Sequence, residues 1–203
     1  MLKRKATAFI KSWADTKEKK CLVVQGARQT GKTYIIERFA EENYEELVEI
    51  NFKQMISAVD IFAGDLTVEN MVMAMRFRFP EKKIIPEKTL IFLDEIQECQ
   101  EAITSLKFWA LDNRFDVIAS GSLLGIDYKR ASSYPVGYVD YLRMYGLDFE
   151  EFLWGMGIAE DMTDNLHRYM ASKTVIPQAI NSSMMNYYRQ YIATGGMPEV
   201  VQK

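Results

Sequence analysis

Cysteine and histidine are scarce in this chain. Two cysteines, Cys21 and Cys99, are too few for a disulfide framework or a cysteine-rich metal site. His167 is the only histidine, so a zinc centre has no ligand set to draw on. No nucleophile-elbow pattern accompanies it, which leaves Ser-His-Asp hydrolysis unsupported. Its polar, helical setting predicts an ordinary surface or packing residue. Long hydrophobic runs are missing as well. No segment approaches the ~20 apolar residues that span a bilayer. The apolar stretch after "MLKRK" meets Lys11 too soon for a signal peptide. These absences predict a cytoplasmic protein with no membrane partner. There is no surplus of positive charge: the formal charge of -3 argues against broad, charge-driven binding to DNA. A local basic cluster does stand near the amino end, with Lys3, Arg4, Lys5, Lys11, Lys17, Lys19 and Lys20. A solvated helix face and loop is its simplest reading, and a nucleic-acid contact stays open.

What is present suits a folded core. Of 203 residues, 48% are hydrophobic and 26% charged, enough for one domain or one domain with a small appendage. A first helix is expected over "LKRKATAFIKSW". "CLVVQG" reads as a buried strand, with Cys21 as a small buried hydrophobe. "YIIERFAEE" reads as a helix, and "LVEINF" as a strand alternating on Val48, Ile50 and Phe52. From Thr67, a candidate N-cap, Val68, Met71, Val72, Met75 and Phe79 fall at helical spacing and are expected in the core. "TLIFLDE" and "FDVIASGS" are further strands flanking the helix "EAITSLKFWALDN", and "YVDYLRMYGL" is a candidate fifth. Alternation at this rhythm predicts an α/β fold whose parallel sheet is covered on both faces. From Asp148, with Glu151 placed to complete a capping box, the pattern is helical to the end. The pair Gly195-Gly196 is expected to close the long helix before it. The expected division is therefore a core over residues 1–147 and a helical subdomain over residues 148–203.

The chemistry concentrates in two stretches. Gly26, Ala27, Arg28, Gln29, Thr30, Gly31, Lys32 and Thr33 match the phosphate-loop pattern GxxxxGK[ST] at every fixed position, between a strand and a helix that takes in Tyr34. The glycines allow several backbone N–H groups to turn toward one anion. The helix start adds its positive end. Lys32 suits the β- and γ-phosphates of a bound nucleotide, and the Thr33 hydroxyl suits magnesium. The second stretch is "LIFLDE". Asp94 ends a buried strand at the edge where open α/β sheets bind ligands, a Walker B position for the same magnesium ion. Glu95 beside it is the natural general base for a water molecule. Ser120 and Ser122, at the end of the next strand, are both candidates to orient that water or touch the γ-phosphate, and neither is preferred. Gln97 is a further polar residue within reach. Arg114, Arg130 and Arg143 are candidates for an arginine finger in a homo-oligomer, and none is assigned.

These stretches, with "ASGSLLG", "YPVGYVDYLRMYGLDFEEFL" and "YIATGGMPEVV", resemble AAA-like P-loop ATPases of bacteria and archaea that carry a C-terminal domain of unknown function. The arginine-glutamine inside the loop, "SGSLLG" and "GGMPEVV" are the more specific parts of the likeness. The resemblance implies an additional-strand, AAA-like parallel five-stranded sheet between helices, followed by a small helical lid. It also implies ATP binding with magnesium and hydrolysis. Relatives are usually longer, with a nuclease-like C-terminal region, so this chain resembles their ATPase half and a C-terminal effector domain is an expected partner. The residues leave two other functions open: a nucleotide-gated switch with little turnover, and a small-molecule kinase. An acid beside the metal aspartate speaks against the kinase, and the lack of an NKxD-like segment against a GTPase.

Overall fold

The computed structural model describes residues 2–17, 19–122 and 135–201. They form two compact units, one over Ala6–Met144 and one formed by the segment up to Lys5 with the residues from Tyr145 onward.

The first unit is built on a parallel sheet. Its strands are β1 (Cys21–Gly26), β2 (Glu46–Asn51), β3 (Thr89–Asp94), β4 (Asp116–Gly121) and β5 (Val139–Met144). Their order is β2-β3-β4-β1-β5, and every neighbouring pair is parallel. β4 thus lies between the glycine-ended strand β1 and the acid-ended strand β3, the additional-strand arrangement. β1 and β3 are buried along all six of their residues, which is why both read as unbroken apolar runs.

Period-two alternation sends successive strand residues to opposite faces. Cys21, Val23, Ile91, Leu93, Val117 and Ala119 pack on one side, against α3 (Val68–Arg78) and α4 (Gln100–Asp112). Leu22, Val24, Leu90, Phe92 and Ile118 pack on the other, against Ile10 and Trp13 of α1 (Lys5–Ala14) and Ile35, Ile36 and Phe39 of α2 (Lys32–Asn43). Val68, Met71, Val72 and Met75 are buried, so the methionine stripe is core. Cys21 is buried too, its Sγ 3.3 Å from the Leu106 carbonyl. Two short 3-10 segments, Ile56–Phe62 and Ile96–Glu98, have no counterpart in the periodicity.

One helix start and one helix cap differ from expectation. α1 begins at Lys5 rather than Leu2. Thr67 sits at the N-cap of α3, but its side chain makes no cap bond. Its own backbone N–H donates instead to Asp65 Oδ1 at 3.2 Å.

The second unit is helical, with α5 (Phe149–Gly155), α6 (Glu160–Ala171), α7 (Gln178–Thr194) and α8 (Pro198–Val201). The capping box forms: Asp148 Oδ1 accepts from Glu151 N, and Glu151 Oε2 accepts from Asp148 N. Glu151 is almost fully buried, and its other oxygen takes the Lys5 backbone N–H at 2.7 Å and Arg4 Nε at 3.2 Å. Phe149 and Phe152 of α5 meet Tyr188 and Tyr191 of α7 edge-on or tilted, at centroid distances of 5.4–5.6 Å. α7 ends on Gly195 in a left-handed cap.

Because Met75 is fully enclosed, Met75→Ala is expected to lower the unfolding free energy by about 2–5 kcal/mol in urea titration. A loss smaller than ~0.5 kcal/mol, the size of a surface effect, would contradict its placement in the core.

Candidate functional site

The carboxyl edge of the sheet collects the sequence's polar residues. β1 ends at Gly26, where the chain passes so close to β5 that a Cβ would stand 2.3 Å from the Met144 carbonyl oxygen and 3.2 Å from Thr30 Oγ1. Only glycine fits there. The loop then folds on itself. Thr30 is buried, and its hydroxyl donates to the Ala27 carbonyl at 3.0 Å. Gln29 and Gly31 take left-handed backbone angles, φ 63° and 86°. Gly31 is the N-cap of α2 and supplies no side-chain acceptor, so the first-turn N–H groups of α2 suit an external anion. Lys32 arches back over this turn, its Nζ donating to the carbonyls of Gly26 (3.0 Å) and Ala27 (2.8 Å). Burial lowers the Lys32 pKa, and the Lys53 charge adds to that, against the opposing pull of Glu95 and Asp94.

Asp94, the last residue of β3, is 5% exposed. A carboxylate so placed needs donors. Oδ1 accepts from the Ser120 hydroxyl and from the Glu95 backbone N–H at 3.0 Å. Oδ2 accepts from Asn51 Nδ2 at 2.8 Å and lies 3.5 Å from Thr33 Oγ1. Glu95 follows in a left-handed turn, φ 53°. Its Oε2 receives both Lys53 Nζ and Gln97 Nε2, each at 2.5 Å. Burial alone would raise the Glu95 pKa, but the bonds to Lys53 and Gln97 and the charges of Lys53 and Lys32 outweigh it, so the carboxyl sits below its ordinary value. Nearby, Glu37 of α2 and Glu49 of β2 are pushed up, chiefly by burial and further by the Asp94 charge.

Lys32, Thr33, Asp94, Glu95 and Ser120 are therefore brought together. The two serines separate. Ser120 ends buried beside Asp94. Ser122 stands beyond the strand end, with no bond to either acid among the described residues. Ala27, Arg28 and Gln29 are exposed on the loop, and Tyr34 is 54% exposed on the first turn of α2. Gln97 reaches the site through Glu95. Arg114 precedes β4, at the strand end opposite the loop, where it pairs with Asp112 and Glu69. Arg143 is an exposed residue of β5 level with Gln25. Arg130, with Leu123, Leu124 and Gly125 of "SGSLLG", lies outside the described residues. His167 is an exposed partner of Glu150 at 3.0 Å. Asn51 and Lys53 escaped the sequence reading. Their signal was the end of β2, a strand that terminates at the same edge as the acids.

A divalent cation of the hard, oxygen-loving kind fits this donor set. A hydroxyl and a carboxylate, both oxygen donors, stand 3.5 Å apart next to a lysine-capped anion turn. Among the described residues no cluster of three or more His, Cys, Asp or Glu is arranged for a metal, so the remaining ligands of such an ion would be a bound phosphate and water. Among those residues, too, no helix is long and apolar enough to cross a membrane.

Comparison with a known family agrees with this architecture. A model of the AAA domain family matches residues 18–153, well over half of the chain. No curated protein is a significant match. Among solved structures, one titled "Structure of C. elegans PCH-2" is similar at 13% identity and a TM-score of 0.43, over 86% of this chain and 49% of that one. The chain thus spans about half the length of that structure.

With a backbone carbonyl at 2.3 Å from its Cβ, Gly26→Ala is expected to destabilise the first unit by about 1–3 kcal/mol, read from chemical unfolding. Unaltered stability would contradict the close approach of β1 and β5.

Proposed function

The chain belongs to the AAA domain family, and on that premise we propose that it binds ATP with magnesium at the β1–α2 loop and hydrolyses it. The observation that carries the reading is the meeting of Thr33 and Asp94, 61 positions apart in sequence and 3.5 Å apart in space, beside the Lys32 ammonium.

In this reading Lys32 leaves the Gly26 and Ala27 carbonyls for the β- and γ-phosphates, where its charge and the loop amides oppose the negative charge that develops. Thr33 and Asp94 would hold magnesium. When bound, that ion neutralises the phosphate oxygens and orients them for in-line attack. Glu95 accepts the proton of the attacking water as its oxygen bonds to the γ-phosphorus and the bond to the ADP oxygen breaks. Against the upward push of burial, the bonds from Lys53 and Gln97 hold the Glu95 pKa below its ordinary value and make it a weaker proton acceptor while they last, so releasing them strengthens the base. Ser120 holds Asp94 in place rather than acting on the water itself. We assign residues 1–147 to the ATPase core and residues 148–203 to the helical lid. Turnover would drive a conformational change in a C-terminal effector domain or in another copy of the chain.

One observation favours a second reading, a nucleotide-gated switch with little turnover. Glu95 Oε2 is already taken by Lys53 and Gln97, which suits a base held idle until a partner intervenes.

Phosphate release and nucleotide titration test the assignment together. Lys32→Ala is expected to abolish nucleotide binding. Glu95→Gln is expected to keep it while lowering kcat by roughly 10²-fold or more, the scale of general-base catalysis. Chelating the metal with EDTA is expected to stop phosphate release. Wild-type turnover by Glu95→Gln would refute the base assignment. A slow rate in the parent protein that Glu95→Gln leaves unchanged would favour the switch.

A further inference from the structure

Asn51, the last residue of β2, sits level with Asp94 in the parallel register. Its carboxamide is used at both ends. Oδ1 accepts the backbone N–H of Lys53 at 3.0 Å and of Gln54 at 3.1 Å, closing the turn that follows the strand. That leaves Nδ2 as the end facing Asp94, and it donates to Oδ2 at 2.8 Å. The amide orientation is thus set by the turn's own N–H groups and not by Asp94. The backbone adds a further tie, with Phe52 N donating to the Asp94 carbonyl at 3.1 Å. The oxygen that Asn51 holds is the one facing Thr33 Oγ1. The turn it closes also presents Lys53 to Glu95.

We propose that Asn51 is a positioning residue that aims Asp94 Oδ2 at a divalent cation, acting through the carboxylate without touching nucleotide. This rests on the proposed role of Asp94 in holding magnesium. The physical basis is that of partners behind metal ligands in general. A carboxylate free to rotate must be ordered when the ion arrives, whereas one already hydrogen-bonded is not. Ser120 fixes Oδ1 from β4, so the two neighbouring strands clamp the two oxygens from opposite sides. The clamp is completed only by a donor long enough to span from β2 while its other end stays in the turn, which suits asparagine.

The test is calorimetric titration of the full chain with ATP, once with Mg²⁺ and once with EDTA. Asn51→Ala removes both functions of the carboxamide. Asn51→Ser keeps an acceptor for the turn N–H groups and is too short to reach Asp94. The parent protein is expected to bind ATP more tightly with Mg²⁺. In both variants the affinity in EDTA is expected to stay as in the parent, while the gain from Mg²⁺ shrinks by about 10- to 100-fold, the usual cost of losing a partner behind a metal ligand. Full retention of the Mg²⁺ gain in Asn51→Ser would overturn the proposal while leaving the proposed function standing. So would an equal loss of affinity in both conditions, because Asn51 would then serve the fold alone. If the parent protein showed no Mg²⁺ gain, the metal role of Asp94 would fall, and this inference with it.

Discussion

A buried carboxylate at the end of a parallel strand is the constraint around which the site is organised. Removing an ionised group from water costs several kcal/mol in a protein interior unless donors replace the water. Asp94 meets that requirement by recruiting a donor from each element around it: Ser120 from β4, Asn51 from β2, the Glu95 N–H from its own turn, and Thr33 from α2. Each of these donors has to end at the same height on the sheet. The strand order makes that possible, because β4 sits between β3 and β1 and β2 closes the other flank of β3. The anion turn and the acid pair are thereby held on one rigid edge, with side chains that already satisfy one another.

The same edge explains the electrostatic balance. Lys32 and Lys53 stand there beside Asp94 and Glu95, with Glu95 held below its ordinary pKa, and Glu37 and Glu49 held above theirs, chiefly by burial and further by the Asp94 charge. Lys32 rests on the loop's own carbonyl oxygens and Lys53 on Glu95. An arriving triphosphate would draw Lys32 away from backbone acceptors at little cost. In the proposed mechanism Glu95 would need a competing partner for Lys53 or for Gln97. The two lysines are therefore unequal, one resting on backbone oxygens and the other paired with Glu95.

Much of this was legible in the sequence because it is encoded locally. The loop lies within one strand-turn-helix unit, and the acids end one apolar run, so spacing alone located Gly26 to Thr33, Asp94 and Glu95. Period-two and helical patterns found the five strands and the methionine stripe. What stayed hidden depends on register between distant strands. Ser120 and Ser122 have the same parity, and only the pairing of Leu93 with Ala119 shows that Ser120 is level with Asp94. Asn51 and Lys53 gain their meaning from β2 lying beside β3, which no local pattern states. The left-handed turn at Glu95 and the short 3-10 segment after it obey tertiary demands and not propensity. The misjudged start of α1 and the idle Thr67 hydroxyl belong to helix ends, where several residues compete to supply a cap.

The central claim is that one edge of this sheet grips a triphosphate and its cation together. A crystal structure with a non-hydrolysable ATP analogue and Mg²⁺ tests it most directly. The terminal phosphate is expected against Lys32 and the β1–α2 loop, with the ion held by Thr33 and Asp94. Nucleotide density elsewhere on the chain, or a loop that stays closed on Lys32 at saturating analogue, would contradict it.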